Sequence, residues 1–152
     1  MACPFFMPTE KMENGAWMHP SRLPLGCRWN GRCTAPGFEG FAPAEKDLLD
    51  FCNLGYADGC GRLPQNRDWD SVRFAARTIC DALKNDTRRI QVRYVCERGH
   101  RPAGTGFLEF DAATDQWIRP HTDSRIQRMA ECFLAVYVEN LKNQHVAQSA
   151  AS

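Results

Sequence analysis

The stretch Ile90-Gln-Val-Arg-Tyr-Val-Cys96 places apolar residues at every second position, which is typical of a half-buried β-strand. The stretch Gly106-Phe-Leu-Glu-Phe-Asp111 is the expected antiparallel partner, and Trp117-Ile118 is a candidate third strand. The connection from Glu97 to Gly106 contains three glycines and a proline, so it predicts a shaped loop longer than a tight hairpin. A small antiparallel sheet is therefore expected at the centre of the fold.

Three other segments show helical patterns. Apolar residues recur at three- and four-residue intervals from Trp69 to about Lys84, and a longer apolar stripe runs from Asp123 to about Asn143. A short helix is expected from Pro43 to Gly55, with proline in its first turn and glycine at its C-cap. The expected fold class is α+β, a small antiparallel sheet packed by two amphipathic helices with an irregular Cys-rich N-terminal half.

The composition of the chain changes near Gln65. Residues 1–64 hold most of the prolines and glycines, so they predict a loop-rich region with one short helix and a metal site. Residues 65–143 are expected to form an α-β-β-α core, and residues 144–152 a flexible tail. At 152 residues the chain is most simply one compact domain.

Five of the eight cysteines fall in the first sixty residues: Cys3, Cys27, Cys33, Cys52 and Cys60. From the second of these onward the gaps are five, eighteen and seven residues, so loops on both sides of the short helix would have to gather the thiols. Loops that converge in this way need a bond to hold them. The crowding therefore indicates a metal site.

Disulfides, zinc or an iron–sulfur cluster could supply that bond. Disulfides need an oxidising compartment, and the first eight residues lack the basic and apolar regions of an export signal. Structural zinc sites usually take cysteines in pairs two to four residues apart, and this sequence has no such pair. Because a cluster tolerates wider gaps, the expected cofactor is a 4Fe–4S cluster, with zinc as the alternative.

Cys33, Cys52 and Cys60 are three of the expected ligands, and Cys3 and Cys27 compete for the fourth position. Cys27 lies near Cys33 in sequence, whereas Cys3 is followed by proline, as is the last cysteine of the bacterial ferredoxin run. The sequence leaves this choice open.

The remaining cysteines have other expected roles. Cys80 and Cys96 lie on apolar faces, so both are expected to pack in the core. Cys132 falls off the apolar stripe of its helix and is expected to be partly exposed. No sequence feature supplies a base for a nucleophilic cysteine, so we expect no catalytic residue.

The net charge of the chain does not identify a binding partner. The chain has 19 basic and 18 acidic residues and a net charge of +1, which argues against a nucleic-acid surface. No apolar run approaches the roughly 20 residues of a membrane-spanning helix, and the thiols fit a reducing cytoplasm. Five arginines nevertheless gather around the first predicted strand, where they could bind phosphate or an acidic partner: Arg88, Arg89, Arg93, Arg98 and Arg101.

The function that these patterns favour is a small soluble iron–sulfur protein, or an accessory subunit, in electron transfer or redox sensing with a protein or redox partner. The first alternative is a zinc-stapled interaction module in which Trp17, Trp29 and the segments Phe5-Phe6 and Phe38 to Phe41 meet a partner. The second alternative is an enzyme with a pocket beside the Cys-rich loops, and its candidate residues are Asp58, His100 and Arg101.

Overall fold

The computed structural model of the protein describes residues 1–12, 23–54, 59–81 and 86–150. These residues form two antiparallel sheets, a short helical segment and one long helix. In chain order the elements are β1 (Phe6–Lys11), β2 (Trp29–Cys33), α1 (Glu45–Asp47) with a π-helical continuation (Leu48–Asn53), β3 (Ser71–Asp81), β4 (Asp86–Arg98), β5 (Arg101–Asp111), β6 (Gln116–Arg119) and α2 (Ser124–Ala150).

The larger sheet has the strand order β3-β4-β5-β6, with every neighbouring pair antiparallel. The predicted strand from Ile90 to Cys96 lies inside β4, and its predicted partner from Gly106 to Asp111 lies inside β5. The third strand, predicted at Trp117-Ile118, is β6. These three predictions and the α+β class are confirmed.

The connection between β4 and β5 is a tight hairpin, so the long shaped loop predicted from Glu97 to Gly106 is wrong. Gly99 and His100 form the turn with φ of 54° and 61°, and Arg98 pairs with Arg101 across it. Positive φ at both central residues matches the right-handed twist of the flanking strands, as in type I′ turns. The Gly99 N–H also donates a 2.6 Å hydrogen bond to the carboxylate of Asp70.

The helix predicted from Trp69 to Lys84 is also wrong, because this segment contains β3. Its side chains alternate: Val72 is buried and Phe74 half-buried, whereas Arg73 and Arg77 are exposed. The small apolar residues of this segment fit both a helical and a strand period. The ladder with β4 decides between the two, because it satisfies the backbone groups that β3 directs toward β4.

The predicted C-terminal helix is confirmed as α2. It begins after Asp123, whose carboxylate accepts a 2.8 Å hydrogen bond from the Arg125 N–H. The helix continues to Ala150, through most of the residues predicted as a flexible tail. No helix among the described residues is long and apolar enough to cross a membrane.

The N-terminal half is more ordered than the irregular region that the sequence predicts. β1 and β2 pair antiparallel, and Ala2 forms a backbone bridge with Val72 through hydrogen bonds of 2.7 and 2.9 Å. Phe6, Leu25 and Trp29 are buried in a core that this half shares with β3, β4 and α2. Apolar packing, and not ligation alone, therefore shapes this half.

A buried amide ties β2 to the helical segment. Asn53 is 2% exposed; its side-chain oxygen accepts a 2.9 Å hydrogen bond from the Trp29 N–H. Its side-chain nitrogen donates 3.0 Å bonds to the carbonyls of Trp29 and Leu48. The segment that carries Cys52 is thus fixed against the strand that ends at Cys33.

Candidate metal centre

Four cysteines from four separate segments line one small cavity. Cys3 precedes β1, Cys33 ends β2, Cys52 lies in the π-helical turn, and Cys60 follows in the loop toward β3. About 20 Å³ of this cavity is open to the centre of a water-sized sphere, which is roughly the space that one water needs. The remaining wall is mostly apolar: Phe5, Phe6, Ala35, Pro43, Phe51, Arg62 and Leu63.

Main-chain contacts bring these segments together. The Cys3 N–H donates a 3.1 Å hydrogen bond to the Cys52 carbonyl. In the β1–β2 ladder Phe6 lies opposite Cys33, which brings the segment before β1 close to the end of β2. After β2, the Cys33 N–H donates to the Phe41 carbonyl at 2.8 Å and so closes the following loop against the site.

Backbone N–H groups point at two of the sulfurs. The backbone N–H groups of Phe5 and Phe6 lie beside the Cys3 thiol and lower its pKa, and the Phe6 N–H donates a 3.1 Å hydrogen bond to the Cys3 carbonyl. The Ala35 N–H lies 3.5 Å from the Cys33 Sγ. Such donors stabilise thiolate over thiol, as they do around metal-bound sulfur.

Burial has the opposite and larger effect. The pKa of Cys3 is raised to about 12, mainly by burial, with smaller contributions from the neighbouring Cys33 and Cys60. The pKa of Cys52 is also raised to about 12, mainly by burial and in smaller part by Cys3, Cys60 and Cys33. Because each thiolate disfavours the others in this apolar cavity, four negative sulfurs require a cation among them.

Arg62 supplies positive charge at the edge of the cavity. Its guanidinium forms a 2.6 Å ion pair with Asp47 and lies 4.9 Å from the centre of the Phe41 ring. The same charge lowers the pKa of Cys52. Arg62 can therefore offset part of the negative charge of a thiolate-ligated metal.

The donor set fits thiolate-ligated iron or zinc, since all seven cysteines with described side chains are free thiols. In the described ranges no three Cys, His, Asp or Glu side chains converge closely enough to hold a single metal ion as they stand. Tetrahedral zinc with bonds of about 2.3 Å needs sulfurs roughly 3.8 Å apart. A 4Fe–4S cluster distributes its four ligands over four irons and so takes a wider ring of sulfurs, and this cavity would have to widen to hold one.

Cys27 does not belong to this group of sulfurs. It is 2% exposed and lies near the ion pair between Lys11 and Glu139, whose nitrogen–oxygen distance is 2.6 Å. Burial raises the pKa of Cys132, and Cys27 is close enough to raise it slightly more. The structure therefore groups Cys3, and not Cys27, with the other three predicted ligands. The β1–β2 pairing is the signal that sequence reasoning missed.

Of the other cysteines, one has the predicted burial and another does not. Cys96 is fully buried, as predicted. Cys132 is 2% exposed, so its predicted partial exposure is wrong. It lies on the side of α2 that packs against the N-terminal half, a second buried face that the main apolar stripe does not reveal. The Cys80 side chain lies outside the described residues.

The residues of the two alternative functions are dispersed. Trp29 is 6% exposed and packs in the core, so its predicted role at a docking surface is wrong. His100 and Arg101 lie at the exposed β4–β5 hairpin. Trp17 and Asp58 lie outside the described residues. Phe38 and Phe41 are exposed aromatic residues of the loop after Cys33.

No family model, curated protein or solved structure matches this chain.

Proposed function

We propose that Cys3, Cys33, Cys52 and Cys60 bind a 4Fe–4S cluster, and that the protein is a small iron–sulfur protein or accessory subunit in electron transfer or redox sensing. The observation that carries the proposal is the meeting of four free thiols from separate segments around one apolar cavity. When bound, such a cluster supplies one-electron oxidation and reduction.

The surrounding residues would tune that chemistry. The apolar wall limits contact with water, the Ala35 N–H donates to the Cys33 sulfur, and the N–H groups of Phe5 and Phe6 favour the Cys3 thiolate. Arg62 adds a positive charge beside them. Solvent exclusion, hydrogen bonds to sulfur and local charge are the features by which proteins set cluster potentials.

A zinc-stapled interaction module is the second candidate, because four cysteines also form a structural zinc site. The loop after Cys33 favours this candidate. It exposes 40% of Phe38 and 44% of Phe41, with the two rings edge to face at 6.5 Å. Exposed aromatic side chains of this kind are typical anchors for a protein partner. The two candidates share ligands and differ in the metal.

The test is anaerobic purification followed by an absorption spectrum and analysis for iron, sulfide and zinc. A cluster predicts brown protein with broad absorption near roughly 400 nm and about four irons and four sulfides per chain. Colourless protein with one zinc would support the interaction module. Protein with neither metal would contradict both candidates.

A matched pair of variants tests the ligand assignment. Cys3→Ala and Cys27→Ala each remove one buried thiol from the N-terminal half, but only Cys3 lines the cavity. We expect Cys3→Ala to lose its metal and Cys27→Ala to retain it. Circular dichroism checks that both variants fold. A folded Cys3→Ala protein with full metal content would remove Cys3 from the ligand set.

A further inference from the structure

The face of the large sheet that points away from α2 carries a second candidate site. Cross-strand pairing places Arg73, Arg93 and Phe107 on this face, because Phe74 and Tyr94, which alternate with them, pack toward α2. The face is exposed at both arginines. It forms an open groove of about 920 Å³.

The charged residues that line this groove are arginines. Arg73, Arg93 and Arg119 contribute to it, and its lining includes no aspartate or glutamate. Arg73 forms a 3.3 Å ion pair with the buried Glu97. In the described part of the chain Arg93 and Arg119 form no ion pair, although Glu109 lies opposite Arg119 in the β5–β6 ladder. A guanidinium without a carboxylate partner on an open surface suits a phosphate, which it can bind through two parallel hydrogen bonds.

An aromatic platform lies among these charges. Phe107 is half-buried in the groove directly opposite Arg93, and the Arg119 guanidinium lies 4.2 Å from the centre of its ring. Bases of single-stranded nucleic acid stack on aromatic rings and on guanidinium planes. Small neighbours, Ala75 and Thr105, leave room above the sheet for a flat ligand.

We propose that this groove binds single-stranded nucleic acid, with a base stacked on Phe107 and Arg119 and an adjacent phosphate bound by Arg93. The proposal is independent of the metal centre. An acidic protein segment would use the arginines but would gain little from the aromatic platform, so the ring beside the charges favours a nucleotide chain. Basic charge concentrated on one face acts locally even though the net charge of the whole chain is only +1.

Fluorescence anisotropy with a fluorescein-labelled single-stranded oligouridine tests the proposal. Binding at low salt should weaken as salt increases, with a logarithmic slope of about −0.7 for each phosphate contact. Arg93→Gln should reduce the magnitude of that slope by about 0.7. Phe107→Leu keeps apolar bulk but removes the ring, and should weaken binding by roughly fivefold or more.

Arg32→Gln is the matched control, because Arg32 is an exposed arginine on β2, outside the groove. It makes the same change in charge and should leave both affinity and slope unchanged. Two results would overturn the proposal: no binding at low salt, or equal weakening by Arg32→Gln and Arg93→Gln. The proposal would also be overturned if polyglutamate binds as tightly as the oligouridine and Phe107→Leu does not change its affinity. That result would favour an acidic protein partner.

Discussion

The main chain of Cys3 is hydrogen-bonded to the main chain of Cys52, with 3.1 Å between the Cys3 nitrogen and the Cys52 carbonyl oxygen. The residue before Cys3 forms a backbone bridge to Val72 of β3. Two residues of the N-terminal segment thus connect the helical segment to the large sheet. These main-chain contacts hold the segments of Cys3 and Cys52 together without using a thiol, so loss of one thiol should affect metal binding more than folding.

The charge at Arg62 should raise the reduction potential of a bound cluster, because reduction adds negative charge beside it. We expect Arg62→Gln to lower the potential. An interaction of about 0.5–1 kcal/mol corresponds to a shift of roughly 20–45 mV for one electron. Protein-film voltammetry of the cluster-loaded protein measures this shift.

Asp47 gives the opposite test, because its carboxylate neutralises Arg62 through a 2.6 Å ion pair. Asp47→Asn should therefore raise the potential. Arg101→Gln, which changes the same charge at the exposed β4–β5 hairpin outside the cavity, should leave the potential nearly unchanged. A shift in the same direction for Arg62→Gln and Asp47→Asn would show that structural disturbance, and not charge, controls the potential.

Asn53 should be essential for stability because its side chain makes three hydrogen bonds inside the core. Asn53→Ala leaves buried groups of Trp29 and Leu48 without partners, and each such group costs roughly 1–3 kcal/mol. We expect the free energy of unfolding in urea to fall by about 3 kcal/mol or more. Asn66→Ala, at an exposed position, should change it by less than about 0.5 kcal/mol.

The same variant should also lose metal, since Asn53 fixes the segment of Cys52 against the end of β2. Metal content measured under conditions in which Asn53→Ala remains folded separates this effect from global unfolding. Wild-type stability in Asn53→Ala would mean that water replaces the amide in its hydrogen bonds.

The sequence predicts β4, β5, β6 and α2 because each has one dominant period. β3 is different: Val72 and Ala76 fit both a helix and a strand, and only Phe74 and the exposed Arg73 and Arg77 favour the strand. The ladder with β4 resolves the ambiguity, and it is a non-local interaction that no window of β3 contains.

The candidate site was predictable only in part, because local patterns are visible in the sequence and the pairing of distant strands is not. Cys52 lies in the short helical segment, and Cys33 and Cys60 lie before and after it, so local reasoning brings the three together. The choice of Cys3 over Cys27 depends on the pairing of β1 with β2, because Phe6 lies opposite Cys33. When two strands pair across an intervening segment, the local sequence of either strand does not show which strand it pairs with.

The ionised carboxylate of Asp70 should stabilise the fold above about pH 4. The Gly99 N–H, and then Arg67, lower the pKa of Asp70 below its ordinary value near 3.9. A group whose pKa is lower in the folded protein contributes stability above its unfolded pKa and loses it as the pH falls through its folded pKa. We therefore expect the free energy of unfolding to decrease below about pH 4.

Urea titrations from about pH 2 to pH 6 measure this dependence. Asp70→Asn should flatten it, whereas Asp68→Asn, at an exposed neighbour, should not. Some slope should remain in Asp70→Asn, because Arg125 also lowers the pKa of Asp123. An identical slope in the wild type and Asp70→Asn would contradict this account.

Gly106 should resist substitution because the Tyr94 ring packs over it. A Cβ at position 106 would lie 2.5 Å from the Tyr94 hydroxyl oxygen and 2.7 Å from two ring carbons. The ring has little room to move, since its centre lies 4.9 Å from that of His121. We expect Gly106→Ala to lower the free energy of unfolding by about 1–3 kcal/mol, the usual cost of overpacking.

Gly104→Ala is the control in the same strand, because its Cβ would meet only ordinary contacts at 3.7 Å or more. If Tyr94→Leu does not relieve the cost of Gly106→Ala in the double variant, the destabilisation comes from the backbone and not from the ring.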